Sequence, residues 1–271
     1  MNEVFKSASP SYPLSLFIKQ FWMIESCLQK DSVHIQRIVP NGLMELTFYS
    51  GKRPESLDKN KKYEDNILIC GQQKGFYDIV IAGKLSIFSV MFRPYGAKVF
   101  FNIPSSEFFD KSIPLKYIIK DNIFELENSI HEAESFERKI IAAENFLLQL
   151  LKKNIKEYEL NRIINSINSI TGRKGQISIE TLISNAYLSR KQFERTFSEY
   201  IGISPAQFLK IIRFQNSLNE RSLNNETSLT KLAYKCGYYD QSHMIRDYKQ
   251  FSGITPLEYF AECEPISDYF L

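Results

Sequence analysis

The last third of this chain repeats itself, and no other feature limits the fold so strongly. Leu188–Leu209 (LSRKQFERTFSEYIGISPAQFL) aligns with Tyr239–Phe260 (YDQSHMIRDYKQFSGITPLEYF) at a constant offset of 51 residues. Arg195 falls on Arg246, Phe197 on Tyr248, Gly202 on Gly253, Pro205 on Pro256 and Phe208 on Tyr259. Such matched boundaries call for one helical module built twice. Two equal heads suit a periodic polymer, and duplex DNA is the obvious candidate.

The boundary residues define the module. Ser204-Pro205-Ala206-Gln207 and Thr255-Pro256-Leu257-Glu258 each fit a capping box. The hydroxyl accepts from the N3 amide, the N3 side chain reaches back, and proline sits at N1, where its missing N–H costs nothing. Gly202 and Gly253 stand where a preceding helix would end at positive φ. Ser189 with Gln192 forms a further box, and Asp240 is the matching N-cap in the second copy. Upstream lie two short apolar faces, Ile179/Leu182/Ile183/Ala186 and Leu229/Leu232/Ala233/Cys236. Tyr187-Leu188 joins the first to its partner helix, and Gly237-Tyr238-Tyr239 joins the second. A short helix, a tight turn and a capped second helix make a helix-turn-helix. The connecting helix, Pro205 to Glu220, spans ~24 Å at ~1.5 Å per residue. With the bodies of the two modules added, the second helices fall about one DNA turn apart, ~34 Å.

Charge follows the repeat. The whole chain carries a net +3, but Ile155–Ser252 holds 14 Lys/Arg against 9 Asp/Glu, about +5. Basic surface of this kind neutralises phosphates. The four cysteines, Cys27, Cys70, Cys236 and Cys263, form no CxxC pair and no zinc-site spacing with histidine. They fit a reducing cytoplasm and imply no metal, and no cofactor motif is present. No basic–apolar leader stands at the N-terminus, and no uncharged run reaches the ~18–20 residues that span a bilayer.

Residues 1–152 read as a β-rich domain that ends in helices, and 157–271 as a helical domain, with a polar run at 152–158 between them. Expected strands are Phe17–Ile24, His34–Val39, Leu43–Tyr49, Ile67–Cys70, Phe76–Ala82 and Leu85–Phe92, with Gly83-Lys84 as a two-residue hairpin connection. Phe136, Ile140, Ala143, Leu147, Leu150 and Leu151 define a helical stripe that either packs on the strands or forms a homodimer seam. The fold class is thus α+β: a β-rich regulatory domain with flanking helices, then an all-α double helix-turn-helix domain.

Leu232–Phe260 (LAYKCGYYDQSHMIRDYKQFSGITPLEYF) resembles the second half of the AraC/XylS family DNA-binding domain, and Leu182–Arg213 resembles the first half. The resemblance implies seven helices, promoter DNA as partner, recruitment of RNA polymerase and a bacterial activator rather than an enzyme. Tyr187 departs from the pattern, which has glycine there, as does Gly237 in copy two. FIKQFWMIE, IVPNGLMELTFYSG, ICGQQKG and VMFRPYGAKVFFNIPSSEFFD resemble a domain of unknown function found ahead of such modules. That implies a sensing or dimerising role and names no ligand.

In the first recognition helix Phe193 and Phe197 share an inward face. The family correspondence puts base contacts at Lys191, Glu194 and Arg195. In the second, Met244 and Tyr248 point inward, and Gln241, Ser242, His243, Ile245 and Arg246 point out. Arginine reads guanine, Glu194 can accept from cytosine, Gln241 can pair with adenine, and Ile245 can meet a thymine methyl. Arg190, Lys210 and Lys249 are expected on phosphates, which fix register. His243 has no partner at ligand spacing. For a small-molecule effector the candidates are Trp22, Glu45 and Arg93. Their structural alternatives are a core position for Trp22 and an ion pair between Glu45 and Arg93. Two other readings stay open. One is a DNA-binding domain fused to a DNA-repair or other catalytic domain; the other is a regulator without ligand, set by abundance or a partner protein.

Overall fold

Period-two burial organises the first half. In the strand Ile18–Cys27, Phe21 and Met23 enter one apolar core while Trp22 and Ile24 enter another. Alternate residues of a strand point to opposite faces, so this strand must be covered on both sides. A computed structural model describes residues 2–29, 32–57, 65–120, 122–151, 157–224 and 227–262.

Among these residues nine strands make two antiparallel sheets. The larger runs β1 (Asn2–Ala8), β2 (Ile18–Cys27), β8 (Lys84–Phe92), β4 (Glu45–Gly51), β6 (Ile67–Cys70), β9 (Ser112–Pro114). The smaller runs β3 (Val33–Ile38), β7 (Tyr77–Ala82), β5 (Glu55–Ser56). The sheets enclose Trp22, Tyr77, Ile79, Ile81, Leu85, Ile87 and Met91. The other face of the larger sheet, with Leu46, Phe48, Phe88 and Val90, is covered by α1 (Gly96–Phe101), α2 (Ile123–Glu132) and α3 (Phe136–Leu151).

The six expected strands are present, but Gly83 is not a hairpin turn. β7 pairs with β3 and β5, whereas β8 pairs with β2 and β4. The chain changes sheets at Gly83, so Ile79, Ile81, Leu85 and Ile87 all enter the layer between the sheets. A hairpin would have put both strands in one sheet and left that layer without its second wall. The α3 stripe packs inward: Phe136, Ala143 and Leu147 are buried, and Phe136 meets Phe88 edge-on at 6.1 Å.

The second half contains α4 (Glu157–Gly172), α5 (Ile179–Ala186), α6 (Arg190–Ile201), α7 (Pro205–Leu223), α8 (Leu229–Lys235), α9 (Gln241–Ser252) and α10 (Pro256–Glu262). Each predicted cap is present. Ser189 and Gln192 close a reciprocal box, as do Thr255 and Glu258, and Asp240 accepts from the His243 amide at 2.6 Å. Ser204 accepts from the Gln207 amide at 3.2 Å, one arm of the expected box. The polar run between the halves falls largely on 152–156, outside the described residues. The apolar core does not stop there: it runs from the larger sheet through Phe108 into Phe197, Phe208 and Phe214.

Candidate nucleic-acid interface

Phe193 and Phe197, one turn apart on α6, are fully buried, and so are Met244 and Tyr248 on α9. Those pairs fix the rotation of each helix. The opposite faces therefore look outward. Lys191, Glu194 and Arg195 are exposed on α6; Ser242, Arg246 and Lys249 are exposed on α9. Gln241, His243 and Ile245 are half-buried. No salt bridge joins Lys191, Arg195, Arg246 or Lys249 to a described residue.

Five expected contact residues, Arg190, Glu194, Lys210, Gln241 and His243, are already engaged. Arg190 reaches back across the turn to Glu180 at 2.7 Å and lies 3.6 Å from Glu194, so it braces α5 against α6. Lys210 faces Asp247 at 3.8 Å. Asp247 is buried, and burial raises its carboxyl pKa while Lys210 opposes the rise. The Lys210 side chain is still 41% exposed, so it faces the buried acid from the surface. Gln241 accepts from the Thr230 hydroxyl at 3.2 Å, which orients its amide. The His243 ring lies edge-on to Tyr238, 5.3 Å between centroids, and is turned partly inward. Among the described residues no group of three His, Cys, Asp or Glu side chains is arranged to hold a metal ion.

The two turns differ in residue but not in geometry. Tyr187 takes φ 53° at the end of α5, and Gly237 takes φ 77° at the matching place. A Cβ on Gly237 would overlap Gln176, whose amide donates to the Lys235 carbonyl, so only the first turn has room for a side chain. Tyr187 and Tyr239 are 87% and 85% exposed and stand just before the two recognition helices. The sequence placed both in turns without a role. Their signal was a tyrosine within two residues of each N-cap, Tyr187 before Ser189 and Tyr239 before Asp240.

α7 carries both units. Its 19 residues, about 28 Å at ~1.5 Å each, exceed the expected length by three. Glu220 on α7 binds Lys174 at 2.8 Å and Lys235 at 2.6 Å, tying the loop after α4 and the end of α8 to one rod. These two lysines hold the Glu220 carboxyl below its usual range.

The first half grips the far ends of the same helices. At the end of α6, the Ser105 hydroxyl donates to the Tyr200 carbonyl at 2.8 Å, and Lys98 meets Glu199 at 3.2 Å. At the end of α9, Arg37 donates to the Ser252 carbonyl at 3.0 Å, and Phe76 covers Gly253. Gly202 and Gly253, the matched stop glycines, both lie against the first half, where a Cβ would strike the Ser105 carbonyl or the Phe76 ring. Gln215, midway on α7, donates to the Pro40 carbonyl at 2.8 Å. The C-terminal ends of both recognition helices are thus held, and their N-terminal ends stay open.

Of the effector candidates, Trp22 and Glu45 line one cleft between the two sheets. Arg93 lies outside it. Its side chain is exposed and donates to the Ser15 carbonyl at 3.0 Å, so the ion pair with Glu45 does not form. β4 explains the split: Glu45, Thr47 and Tyr49 point into the layer between the sheets, while Arg93 follows the last residue of β8 beside the Leu14–Leu16 turn.

Two family models match the chain. A helix-turn-helix domain covers residues 182–262, and a domain of unknown function, DUF6597, covers residues 6–114. Among relatives, an uncharacterized HTH-type transcriptional regulator of Haemophilus influenzae is 32% identical over 83 residues, 30% of this chain and 27% of that protein. The HTH-type transcriptional regulator GbdR of Pseudomonas aeruginosa is 30% identical over 83 residues, 30% of this chain and 22% of that protein. The chain thus spans only about a quarter of the length of these curated relatives. A crystal structure of ToxT from Vibrio cholerae is similar at a TM-score of 0.46 and 15% identity, covering 89% of this chain and 97% of that one. No helix of the described residues is long and apolar enough to cross a membrane. The repeat, its caps and the two domain matches agree: the chain carries an AraC-type helix-turn-helix domain at residues 182–262, with a DUF6597 domain in front of it at residues 6–114.

Proposed function

We propose that the chain is a transcription regulator that binds a specific duplex site, with α6 and α9 in two successive major grooves on one face of the DNA. The observation that carries this reading is the pair of matched helices on one rod, each with its basic outer face and N-terminal end open. Recognition helices read base edges through their N-terminal residues. Lys191, Glu194 and Arg195 form the first reading face, and Ser242, Ile245 and Arg246 form the second, with Gln241 and His243 oriented at its edge. Lys249 is the free phosphate contact. Arg190 and Lys210 serve the module's own packing first.

The first half, 1–152, is the regulatory part of this proposal and 157–271 the DNA-binding part. Transcription activation through RNA polymerase, in the bacterial cytoplasm, is the mode that the AraC/XylS resemblance supports. A homodimer would not need the α3 stripe, which is spent on the larger sheet. The test is binding of the full chain to a DNA selected from a random pool, at fixed salt. Arg195→Ala with Arg246→Ala should weaken specific binding by about 100-fold or more, since a bidentate arginine–guanine contact carries about 1–3 kcal/mol of discrimination. Equal binding by the double variant would remove both arginines from the reading face.

A further inference from the structure

The cleft between the sheets holds a chemistry that the DNA-binding reading leaves unused. It encloses about 130 Å³. A cavity of roughly 150 Å³ accepts a single benzene-sized ring, so this one suits a compact ligand. Its walls are Trp22, Tyr49, Tyr77, Ile79 and Ile87. One carboxylate, Glu45, stands among them. The Ser89 hydroxyl donates to it at 2.9 Å, and the nearby Trp22 and Asn41 side chains favour its charged form. Lys19 acts on it as a charge from nearby, yet no salt bridge joins Glu45 to any described residue. Glu45 is half-buried and lines the cleft. The other charge at the cleft, Arg37, is matched: it binds Asp78 through two bonds of 2.8 and 2.9 Å.

A carboxylate that no salt bridge among the described residues ties up, ringed by aromatic faces, selects a cation. The ring faces attract positive charge, and the carboxylate gives the ammonium a charge-assisted hydrogen bond. The cleft also touches the grip on the recognition helices. Arg37, at its edge, donates to the last turn of α9 and stacks over Phe76 at 4.6 Å, and Gln215 of α7 completes its lining. We infer that this cleft binds a small organic ammonium ion, ring-bearing or branched, through Glu45 and the aromatic walls, and that its occupancy alters DNA affinity through Arg37. This rests on the DNA-binding reading only for its second part.

Trp22 is the sole tryptophan of the chain, so its fluorescence reports the cleft directly. Benzylamine and cyclohexylamine are titrated into the full-length protein at pH 8, with benzyl alcohol and benzoate as neutral and anionic controls. Burial raises the Glu45 carboxyl to about 7, so at pH 8 it is ionised. The amines should give a saturable change with half-saturation near or below about 1 mM, and the controls should bind at least about 10-fold more weakly. Glu45→Gln should remove that preference. Saturating benzylamine should shift affinity for the selected DNA by about threefold or more, and Arg37→Met should cut that shift below about twofold. No saturable amine signal, an equal response to benzoate, or an unchanged preference in Glu45→Gln overturns the cation site. An undiminished DNA shift in Arg37→Met overturns the relay. Failure of the amine-free protein to bind DNA sinks the regulator reading alone, because the fluorescence titration stands without it.

Discussion

Glu45 shows how far one position can be read from sequence. A glutamate within an otherwise apolar strand signals either a buried pair or a site, and the sequence offers Arg93 as the obvious mate. The structure separates them, because β4 turns Glu45 between the sheets while Arg93 stays outside at Ser15. That outcome depends on how two sheets are stacked, which no local pattern encodes. Burial, the largest effect, lifts the carboxyl from 4.5 to about 7, against the donors of Ser89, Trp22 and Asn41 and the charge of Lys19. The sign follows from linkage. Its pKa is higher folded than unfolded, so its contribution to stability is complete below about 4.5 and is lost as pH rises through about 7. The urea stability of wild type relative to Glu45→Gln should therefore fall by on the order of 2 kcal/mol across that window, once water in the cleft is allowed for. A difference that stays level with pH would mean that Glu45 is ionised throughout.

At the scale of elements, the helix boundaries of the second half were legible almost to the residue. Caps, N1 prolines and stop glycines act locally, so Ser189, Asp240, Gly202 and Gly253 fall where the pattern puts them. Sheet membership was not legible, since β7 and β8 are adjacent in sequence yet belong to different sheets. Surface pairing was not legible either: Lys210 and Asp247 lie 37 positions apart and meet only because α7 and α9 cross. Tyr187 falls between these cases. The sequence marks it as a departure from glycine, and the structure shows that the turn keeps its left-handed form around it, at φ 53°. A non-glycine residue there costs about 1–2 kcal/mol, partly offset by the entropy that glycine would lose on folding. Tyr187 is 87% exposed and gives up little packing. Tyr187→Gly should thus stabilise the protein by about 1 kcal/mol in urea unfolding. Destabilisation would show that the tyrosine ring holds the turn in place.

At the scale of the molecule, the two halves are less separate than a split at 152–157 suggests. One apolar core crosses between them. The first half holds both recognition helices by equivalent ends, through Ser105 at Tyr200 and Arg37 at Ser252. The 51-residue repeat alone suggested two heads; the matched stop glycines show that both are anchored to one body. The faces still differ, with Lys191, Glu194 and Arg195 on one and Ser242, Ile245 and Arg246 on the other, so the site they read should be asymmetric. The most direct test is selection of bound duplexes from a random pool by the full-length protein, followed by sequencing. Two unlike half-sites with centres about 10 base pairs apart are predicted, one relaxed by Arg195→Ala and the other by Arg246→Ala. A single half-site unaffected by one of the two substitutions, or no enriched sequence at all, would contradict the account.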